Sequence, residues 1–267
     1  MKRYFVPILK RMTERTLEYY LTKGLDFIVN GVAAIIFICC FAYSGYALWD
    51  NWSILNGAEY ALKTRVDNKE DETEGLVYNF NQFMEMNPDV CGWIIMDHTK
   101  IDYPIVQGED NFEYLNKDPL GNIELSGSII MDWQNQRDFS DYYVVLMGHH
   151  MQAGKMFGDL ERYKDETFFR KNTTGKVYLP NQILDLETSV YLTADAYDKY
   201  IYRVQWNNPR NRQELIDHIY DQAQYSRGER ITTEDQMVIL STCSTRGTNA
   251  RHVLVCRIVK TENYREK

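Results

Sequence analysis

The amino-acid sequence predicts a mainly β protein with peripheral helices: a closed β-barrel of about eight strands, preceded by an N-terminal transmembrane helix. Three observations predict this class. An uncharged apolar run lies near the N-terminus, over residues 27–49. Short apolar runs separated by turn residues fill the chain after residue 90. Few segments have helical periodicity, and many short strands with few helices favour a closed or nearly closed barrel.

The N-terminal apolar run is long enough to cross a bilayer. Its 23 residues, 27–49, carry no charge. As a helix they would span roughly 35 Å, against about 30 Å of hydrocarbon. Six basic and three acidic residues precede the run, a net charge of +3. The positive-inside rule therefore places residues 1–26 in the cytoplasm and the rest outside.

A cleaved signal peptide is the alternative interpretation of this run. The small residues Ala42, Ser44 and Ala47 resemble those of a cleavage site. The run is nevertheless longer than the roughly 7 to 15 residues of a signal-peptide core. The sequence therefore favours an uncleaved anchor.

The segment outside the membrane is acidic. The whole chain carries −8, so subtracting the +3 of residues 1–26 leaves −11 for the remainder. This charge argues against a nucleic acid or an anionic membrane surface as a partner of that segment. Residues 50–74 are rich in charge and predict a helical or flexible spacer, and residues 75–267 predict one folded domain.

The folded domain begins with a helical stripe and continues as strands. Apolar residues recur at helical spacing from Leu76 to Met84, and Asn87-Pro88 ends this helix. Residues 155–171 predict one or two short helices. Residues 212–225 predict an amphipathic helix on the barrel, with His218 on its surface. Strand signals lie near residues 92–96, 101–106, 127–131, 142–147, 175–179, 183–195, 200–206, 236–242 and 251–259.

Three reactive side chains lie at the ends of predicted strands. The run from Met237 ends in Cys243, a second run ends in His149, and Arg251 opens the last run. A thiolate attacks carbonyl carbon, and imidazole exchanges protons near neutral pH. A guanidinium holds developing negative charge through several donors. The three residues together predict nucleophilic catalysis by a cysteine.

Each of the two partner residues has rivals in the sequence. His150 follows His149 directly, so the local pattern leaves the base ambiguous. Arg246 and Arg257 compete with Arg251 for the role of charge stabiliser. Strand alternation puts Arg257 on the face of Arg251 but about two pleats further away.

Cysteine usage indicates one reactive thiol. Cys39 and Cys40 lie in the apolar run, Cys91 precedes the strand that starts at Gly92, and Cys256 lies within the last strand, so Cys91 and Cys256 are expected to be small buried hydrophobes. Only Cys243 ends a strand beside polar residues. A Cys243–Cys256 disulfide is the alternative. No pair of cysteines or histidines has zinc-ligand spacing.

Several ordered motifs resemble the sortase family. The stretch from Ile239 to Cys243 is similar to the sortase pattern Thr-Leu-x-Thr-Cys, with Ile239 where the first threonine is expected. Gly148-His149 and Arg251 match the positions of the family's catalytic histidine and arginine. The resemblance spans residues from about 75 to about 260, and the helix before the cysteine strand points to class B. Three further segments resemble class B sortases: Gly92 to Ile95, Ile101 to Gln107, and Asp110 to Leu115.

The resemblance implies a transpeptidase outside a Gram-positive-type cell, with residues 75–267 as its catalytic domain. Cys243 would cut a C-terminal sorting signal of the Asn-Pro-x-Thr type or a related one, with His149 and Arg251 as partners. The acceptor would be an amine of a peptidoglycan precursor or of a pilin. Ser241 and Thr242 either line the substrate site or only extend the strand. No cofactor is implied.

Two other classes of function remain as alternatives. A different extracellular cysteine peptidase or an L,D-transpeptidase would also use cysteine and histidine, although the Ser-His-Gly-Cys pattern of the latter is absent. A catalytically silent assembly module is the alternative outside enzymes. The presence of all three reactive positions argues against it.

Overall fold

The structure is a computed structural model that describes residues 2–57, 83–243 and 249–263. The chain divides into two units, Met1–Ser53 and Ile54–Lys267. Helix α1, Lys2–Gly57, covers the described part of the first unit and continues past its last residue, Ser53. Within it, Glu18–Trp52 is long and apolar enough to cross a membrane. The expected spacer begins inside this helix, and its part beyond residue 57 lies outside the described residues.

The described part of the second unit contains nine strands. Their bounds are β1 Val90–Met96, β2 Asp102–Val106, β3 Ile129–Met131, β4 Tyr143–Gly148, β5 Thr174–Tyr178, β6 Gln182–Asp195, β7 Ala223–Ser226, β8 Met237–Cys243 and β9 Ala250–Asn263.

The strands close into a barrel. Eight of them pair in the order β5-β1-β2-β3-β4-β8-β9-β6, and β6 pairs back onto β5. Strand β7 adds to β6 outside this ring. The pairs β2–β3 and β4–β8 are parallel, and the other pairs are antiparallel. The prediction of a closed barrel of about eight strands is confirmed.

Alternation along the strands separates an inner from an outer core. The inner cluster takes every second residue of the ring, such as Val144 on β4, Leu240 on β8 and Leu254 on β9. The residues between them, such as Val145 and Ile239, belong to a second cluster outside the barrel. Burial on both faces explains why these strands read as continuous apolar runs.

The helices of the second unit cover parts of the barrel. The predicted short helices after the histidines are two 3-10 segments, Gln152–Gly154 and Gly158–Lys164, and helix α2, Glu166–Lys171. Helix α3, Pro209–Asp221, packs Leu215, Ile216 and Ile219 into the outer cluster. Asn208 caps α3 by accepting a hydrogen bond from the Asn211 amide. Of the helix predicted to end at Asn87-Pro88, the structure describes a helical turn at 83–86.

Two sequence predictions near α3 were wrong. The strand expected at 200–206 is a loop, because Ile201, Val204 and Trp206 pack into the outer cluster instead of pairing. The helix expected to reach residue 225 ends at Asp221, because residues 223–226 pair with β6 as β7.

Candidate active site

Three adjacent strands bring the predicted reactive residues to one edge of the barrel. Gly148 at the end of β4 pairs with Thr242 on β8, and Thr242 pairs with His252 on β9. One residue further along, His149 follows β4, and Cys243 pairs directly with Arg251. Neighbouring strands lie about 4.8 Å apart. The fold therefore aligns positions 149, 243 and 251 side by side in one row.

The three positions also share a face of the sheet. Position 243 has the strand parity of Met237 and Ile239, which belong to the outer cluster. Arg251 has the parity of Val253 and Val255 in the same cluster. The guanidinium of Arg251 is partly exposed, and its Nη1 donates to the carbonyl oxygen of Ala250 at 3.3 Å.

The imidazole of His149 is held by the loop between β2 and β3. Its Nε2 lies 2.9 Å from the carbonyl oxygen of Leu115. A carbonyl oxygen only accepts, so Nε2 carries the hydrogen in this bond. The other ring nitrogen, Nδ1, is then the proton acceptor of the neutral ring. Gly127 permits this contact, because a Cβ there would lie 2.4 Å from that carbonyl oxygen.

The other candidate base, His150, has different hydrogen-bond partners from His149. Nε2 of His150 lies 3.1 Å from a carboxylate oxygen of Glu161. Its ring centroid is 6.3 Å from that of His252. These contacts engage His150 with Glu161 and His252, whereas His149 bonds to the Leu115 carbonyl.

The rival arginines differ in position from Arg251. Arg257 pairs with Met237, at the opposite end of β8 from Cys243. Its guanidinium donates to Glu187 at 2.9 Å, and this hydrogen bond raises the pKa of Arg257. Arg246 lies outside the described residues. Among the described arginines of this region, Arg251 is the one paired with Cys243.

Cys91 and Cys256 are inert by burial. Both are buried and free. Desolvation by burial raises the pKa of Cys91 to about 12 and that of Cys256 further still. Neither forms thiolate near neutral pH. Because Cys256 is free, the alternative disulfide with Cys243 is excluded.

Ser241 and Thr242 face opposite sides of the sheet. Ser241 has the parity of position 243, is 2% exposed, and its hydroxyl lies 2.8 Å from the Tyr202 hydroxyl. Thr242 belongs to the inner face, and its Oγ1 has no hydrogen-bond partner within the described part of the chain. The role of both residues in substrate binding stays a prediction.

A buried polar row behind the reactive residues was not foreseen. His252, beside Thr242, is 6% exposed, and its Nδ1 lies 2.7 Å from the Tyr191 hydroxyl. Desolvation is the main cause that lowers the pKa of His252, and nearby His150 adds to it. Strand alternation assigns His252 to the inner face, but the sequence gives no sign of its pairing with Tyr191.

The fold and the three strand ends define a class of single-barrel proteins that present cysteine, histidine and arginine at one sheet edge. Comparison with known families is consistent with this class. A family model described as the Sortase domain matches residues 94–259. The chain belongs to the sortase family, and within it to class B. Family membership makes the protein a cysteine transpeptidase.

Individual relatives agree with the assignment to class B. Sortase B of Listeria monocytogenes is 26% identical over 239 residues, which cover 86% of this chain and 92% of the relative. Sortase B of Staphylococcus aureus is 32% identical over 190 residues, covering 68% and 75%.

Solved structures share the fold. A Staphylococcus aureus sortase B–substrate complex matches with a TM-score of 0.64 at 28% identity, covering 68% of this chain and 85% of that one. Sortase B of Clostridium perfringens matches with a TM-score of 0.64 at 27% identity, covering 67% and 99%.

Proposed function

We propose that the protein is a membrane-anchored sortase that joins surface proteins to a cell-wall or pilin amine through a thioacyl-enzyme on Cys243. The observation that carries this proposal is the row of His149, Cys243 and Arg251 on three neighbouring strands. A row held by strand pairing keeps three reactive groups at fixed spacing, which is the preorganisation that covalent catalysis needs.

In the first half-reaction, the Cys243 thiolate attacks the carbonyl carbon of the sorting signal's threonine, whose bond to the nitrogen of the following residue is the scissile bond. The carbonyl π electrons move to oxygen, and the tetrahedral intermediate collapses by expelling the amine. Protonated His149 donates its Nδ1 proton to this leaving amine. The products are a thioacyl-enzyme and the C-terminal remainder of the signal.

In the second half-reaction, neutral His149 removes a proton from the incoming amine through Nδ1. The amine nitrogen attacks the thioester carbonyl, and the thiolate leaves. The hydrogen bond from Nε2 to the Leu115 carbonyl keeps Nδ1 as the acceptor in this step. Water in place of the amine gives hydrolysis, which is the endopeptidase side reaction of the same intermediate.

Arg251 is the proposed electrostatic partner. Its place opposite Cys243 puts a permanent positive charge beside the nucleophile strand. That charge favours the thiolate, and the planar donors suit an oxyanion or the substrate carbonyl. We assign Arg251 both roles: it stabilises the thiolate, and it holds the oxyanion or the substrate carbonyl.

The proposed substrates are surface proteins with an Asn-Pro-x-Thr-like signal. Their class follows from the family, and Ser241 lies on the reactive face where a substrate would pass. The −11 charge outside the residue 1–49 segment argues against nucleic acid as a partner. Peptidoglycan precursor or pilin supplies the acceptor amine.

The proposed layout of the chain follows the sequence. Residues 1–26 are cytoplasmic, 27–49 form the anchor, 50–74 are the spacer and 75–267 form the extracellular catalytic domain. The apolar helix Glu18–Trp52 supports the anchor. An anchored enzyme meets exported proteins and lipid-linked precursors in one plane.

Intact-protein mass spectrometry tests the proposal. The full chain in non-ionic detergent is incubated with a panel of sorting peptides, and a thioacyl adduct is sought on Cys243. We expect an adduct in the wild type and none in Cys243→Ala. His149→Ala should abolish turnover while His150→Ala retains much of it. An adduct on another residue, or activity lost in His150→Ala but kept in His149→Ala, contradicts the assignments.

A further inference from the structure

The loop between β6 and α3, residues 196–208, reaches the strand that carries Cys243. Its Tyr202 hydroxyl lies 2.8 Å from the Ser241 hydroxyl. Ser241 is 2% exposed and precedes Cys243 by two residues, on the same face of β8. The position of this loop therefore determines whether the Tyr202–Ser241 hydrogen bond forms, and this bond lies two residues along β8 from the proposed nucleophile.

The side chain of Asp198 organises the turn that leads to Tyr202. Its Oδ1 accepts hydrogen bonds from the backbone amides of Tyr200 at 2.9 Å and Ile201 at 3.0 Å. The far side of the turn is fixed by the barrel, because the buried Tyr143 hydroxyl donates to the Ile201 carbonyl at 2.9 Å. Asp198 and Tyr143 thus hold the backbone just before Tyr202 from two directions.

Helix α3 holds the same carboxylate from outside the loop. Nε2 of His218 lies 2.8 Å from Oδ2 and 3.0 Å from Oδ1 of Asp198. Gln222, one turn further along α3, donates to Oδ2 at 3.0 Å. The Tyr200 ring stacks on the His218 ring with centroids 4.3 Å apart. His218 is therefore a partly buried partner of the loop, which corrects its predicted place on the surface.

The carboxylate is ionised in this setting. The Asp198 side chain is only 9% exposed. Burial alone would raise its pKa, but hydrogen bonds from Ile201, Gln222 and His218 outweigh burial and lower the pKa of Asp198. A buried charge with this many donors has one strongly preferred position. The Asp198 carboxylate therefore fixes the backbone conformation of the turn at Tyr200 and Ile201.

We propose that Asp198 and His218 are positioning residues for the transpeptidation, which hold the 196–208 loop so that Tyr202 orients Ser241 beside Cys243. The inference rests on the proposed function, since it takes Cys243 as the nucleophile. Neither residue touches the reacting atoms. They act through two links, the Asp198 turn and the Tyr202–Ser241 hydrogen bond.

A double-mutant cycle tests whether Asp198 acts through Tyr202. The full chain in detergent is assayed for kcat/KM with a fluorescent sorting peptide, as wild type, Asp198→Ala, Tyr202→Phe and the double variant. We expect each single change to lower kcat/KM about tenfold, in line with the cost of displacing a supporting group. The kcat/KM of the double variant should be no more than about twofold below that of the less active single variant, because both substitutions break the same chain of contacts to Ser241.

Two matched variants separate positioning from general damage to α3. Asp217→Ala removes an exposed carboxylate from the same helix, where it pairs with Arg230 at 2.7 Å. We expect it to keep kcat/KM within about twofold. His218→Gln retains an N–H donor toward Asp198 and should keep several times the activity of His218→Leu.

Hydrogen exchange provides the structural readout. In Asp198→Ala, the amides of Tyr200 and Ile201 should exchange faster while those of β8 and β9 stay protected. If Asp198→Ala does not fold, the cycle is run with His218→Leu in its place. Multiplicative losses in the cycle, or an equal loss in Asp217→Ala, overturn the inference.

The outcomes also separate this inference from the function on which it rests. A wild type that forms no thioacyl adduct removes the proposed function and the inference with it. A wild type that forms the adduct, combined with independent effects of Asp198 and Tyr202, removes only the inference.

Discussion

Single residues around the reactive row carry much of its geometry, and Gly127 is the clearest case. Its φ is +62°, and an added Cβ would lie 2.4 Å from the Leu115 carbonyl oxygen and 3.2 Å from Cδ2 of His149. We expect Gly127→Ala to displace the carbonyl that orients His149 and to lower kcat by at least about tenfold. The measurement is steady-state cleavage of a sorting peptide.

Gly121 supplies a matched control in the same loop. Its φ is +85°, but nothing lies within 4 Å of an added Cβ. Gly121→Ala therefore has only backbone strain, about 1 kcal/mol, and should keep near-normal kcat. Equal losses in the two variants would mean that strain, and not the contact with Leu115, is responsible.

Arg251 allows charge to be separated from geometry. Lysine keeps the positive charge opposite Cys243 but loses the planar fork. We expect Arg251→Lys to lose on the order of 10²–10³ in kcat, the scale of losing one preorganised donor. Cleavage kinetics are measured together with a pH titration of Cys243 alkylation. Near-normal kcat with a normal titration would refute the oxyanion role.

Buried His252 predicts a pH dependence of stability. Burial lowers its pKa in the folded protein below the usual 6.5, so the unfolded chain binds the proton more readily. Above about pH 6.5 the imidazole is neutral in both states, and the free energy of unfolding has its full value. As the pH drops from there through the folded-state pKa, the unfolded chain binds the proton first and the free energy of unfolding decreases. Carboxylates stay ionised in most of this range, which lies above their usual values.

Urea unfolding of the full chain in detergent between pH 5 and pH 7.5 measures this effect. We expect the wild type to lose stability toward pH 5 and His252→Gln to lose less, because glutamine does not titrate. A parallel pH dependence in the two proteins would show that His252 is not the group responsible.

At the scale of elements, the two faces of β8 give Ser241 and Thr242 different expected roles. Thr242 has a buried hydroxyl without a partner among the described residues, which costs stability. Thr242→Val keeps the shape and removes that hydroxyl. We expect it to stabilise the fold by up to about 1 kcal/mol and to leave KM unchanged.

Ser241→Ala is the companion variant on the reactive face. It removes the hydroxyl that meets Tyr202, and we expect kcat/KM to fall about tenfold, as in Tyr202→Phe. Peptide kinetics and thermal melts of both variants decide the question. A raised KM in Thr242→Val with no change in Ser241→Ala would reverse the assignment of the two residues.

The strand ends were predictable from the sequence because each apolar run ends or begins at a polar residue. The apolar runs ending at His149 and Cys243, and the run opening at Arg251, predicted the three strand ends that build the site. Their order in the barrel was not predictable, since the parallel pairing of β4 with β8 depends on contacts distant in the chain. The same holds for the Leu115 carbonyl, because a backbone acceptor has no sequence signature.

The failures around α3 have a common physical cause. An apolar residue at every second or third position suits a strand, but it equally suits a loop packed onto a sheet, as Ile201 and Val204 do. Ala223 continues the helical stripe of α3, yet pairing with the long strand β6 outweighs that local preference. Tertiary contacts determine the secondary structure of both segments, and these contacts cannot be inferred from local periodicity.

For the whole molecule, the decisive question is whether the apolar helix stays attached. An uncleaved anchor would hold the active site near the membrane, where exported substrates and lipid-linked precursors meet. The net charge of +3 before residue 27 favours a cytoplasmic N-terminus. The alternative, a cleaved signal peptide, would release an acidic soluble domain instead.

We expect the full chain, with an epitope tag at each end, to stay in the membrane fraction after a carbonate wash, because a helix of 23 uncharged residues inserts stably. Protease added to intact protoplasts should remove the C-terminal tag and leave the N-terminal tag protected. Lysed protoplasts, in which both tags become accessible, serve as the control. Intact mass of the membrane-bound protein should match the uncleaved chain. A tagged domain found in the medium without its first residues would establish cleavage, and protection of the C-terminal tag would reverse the proposed orientation.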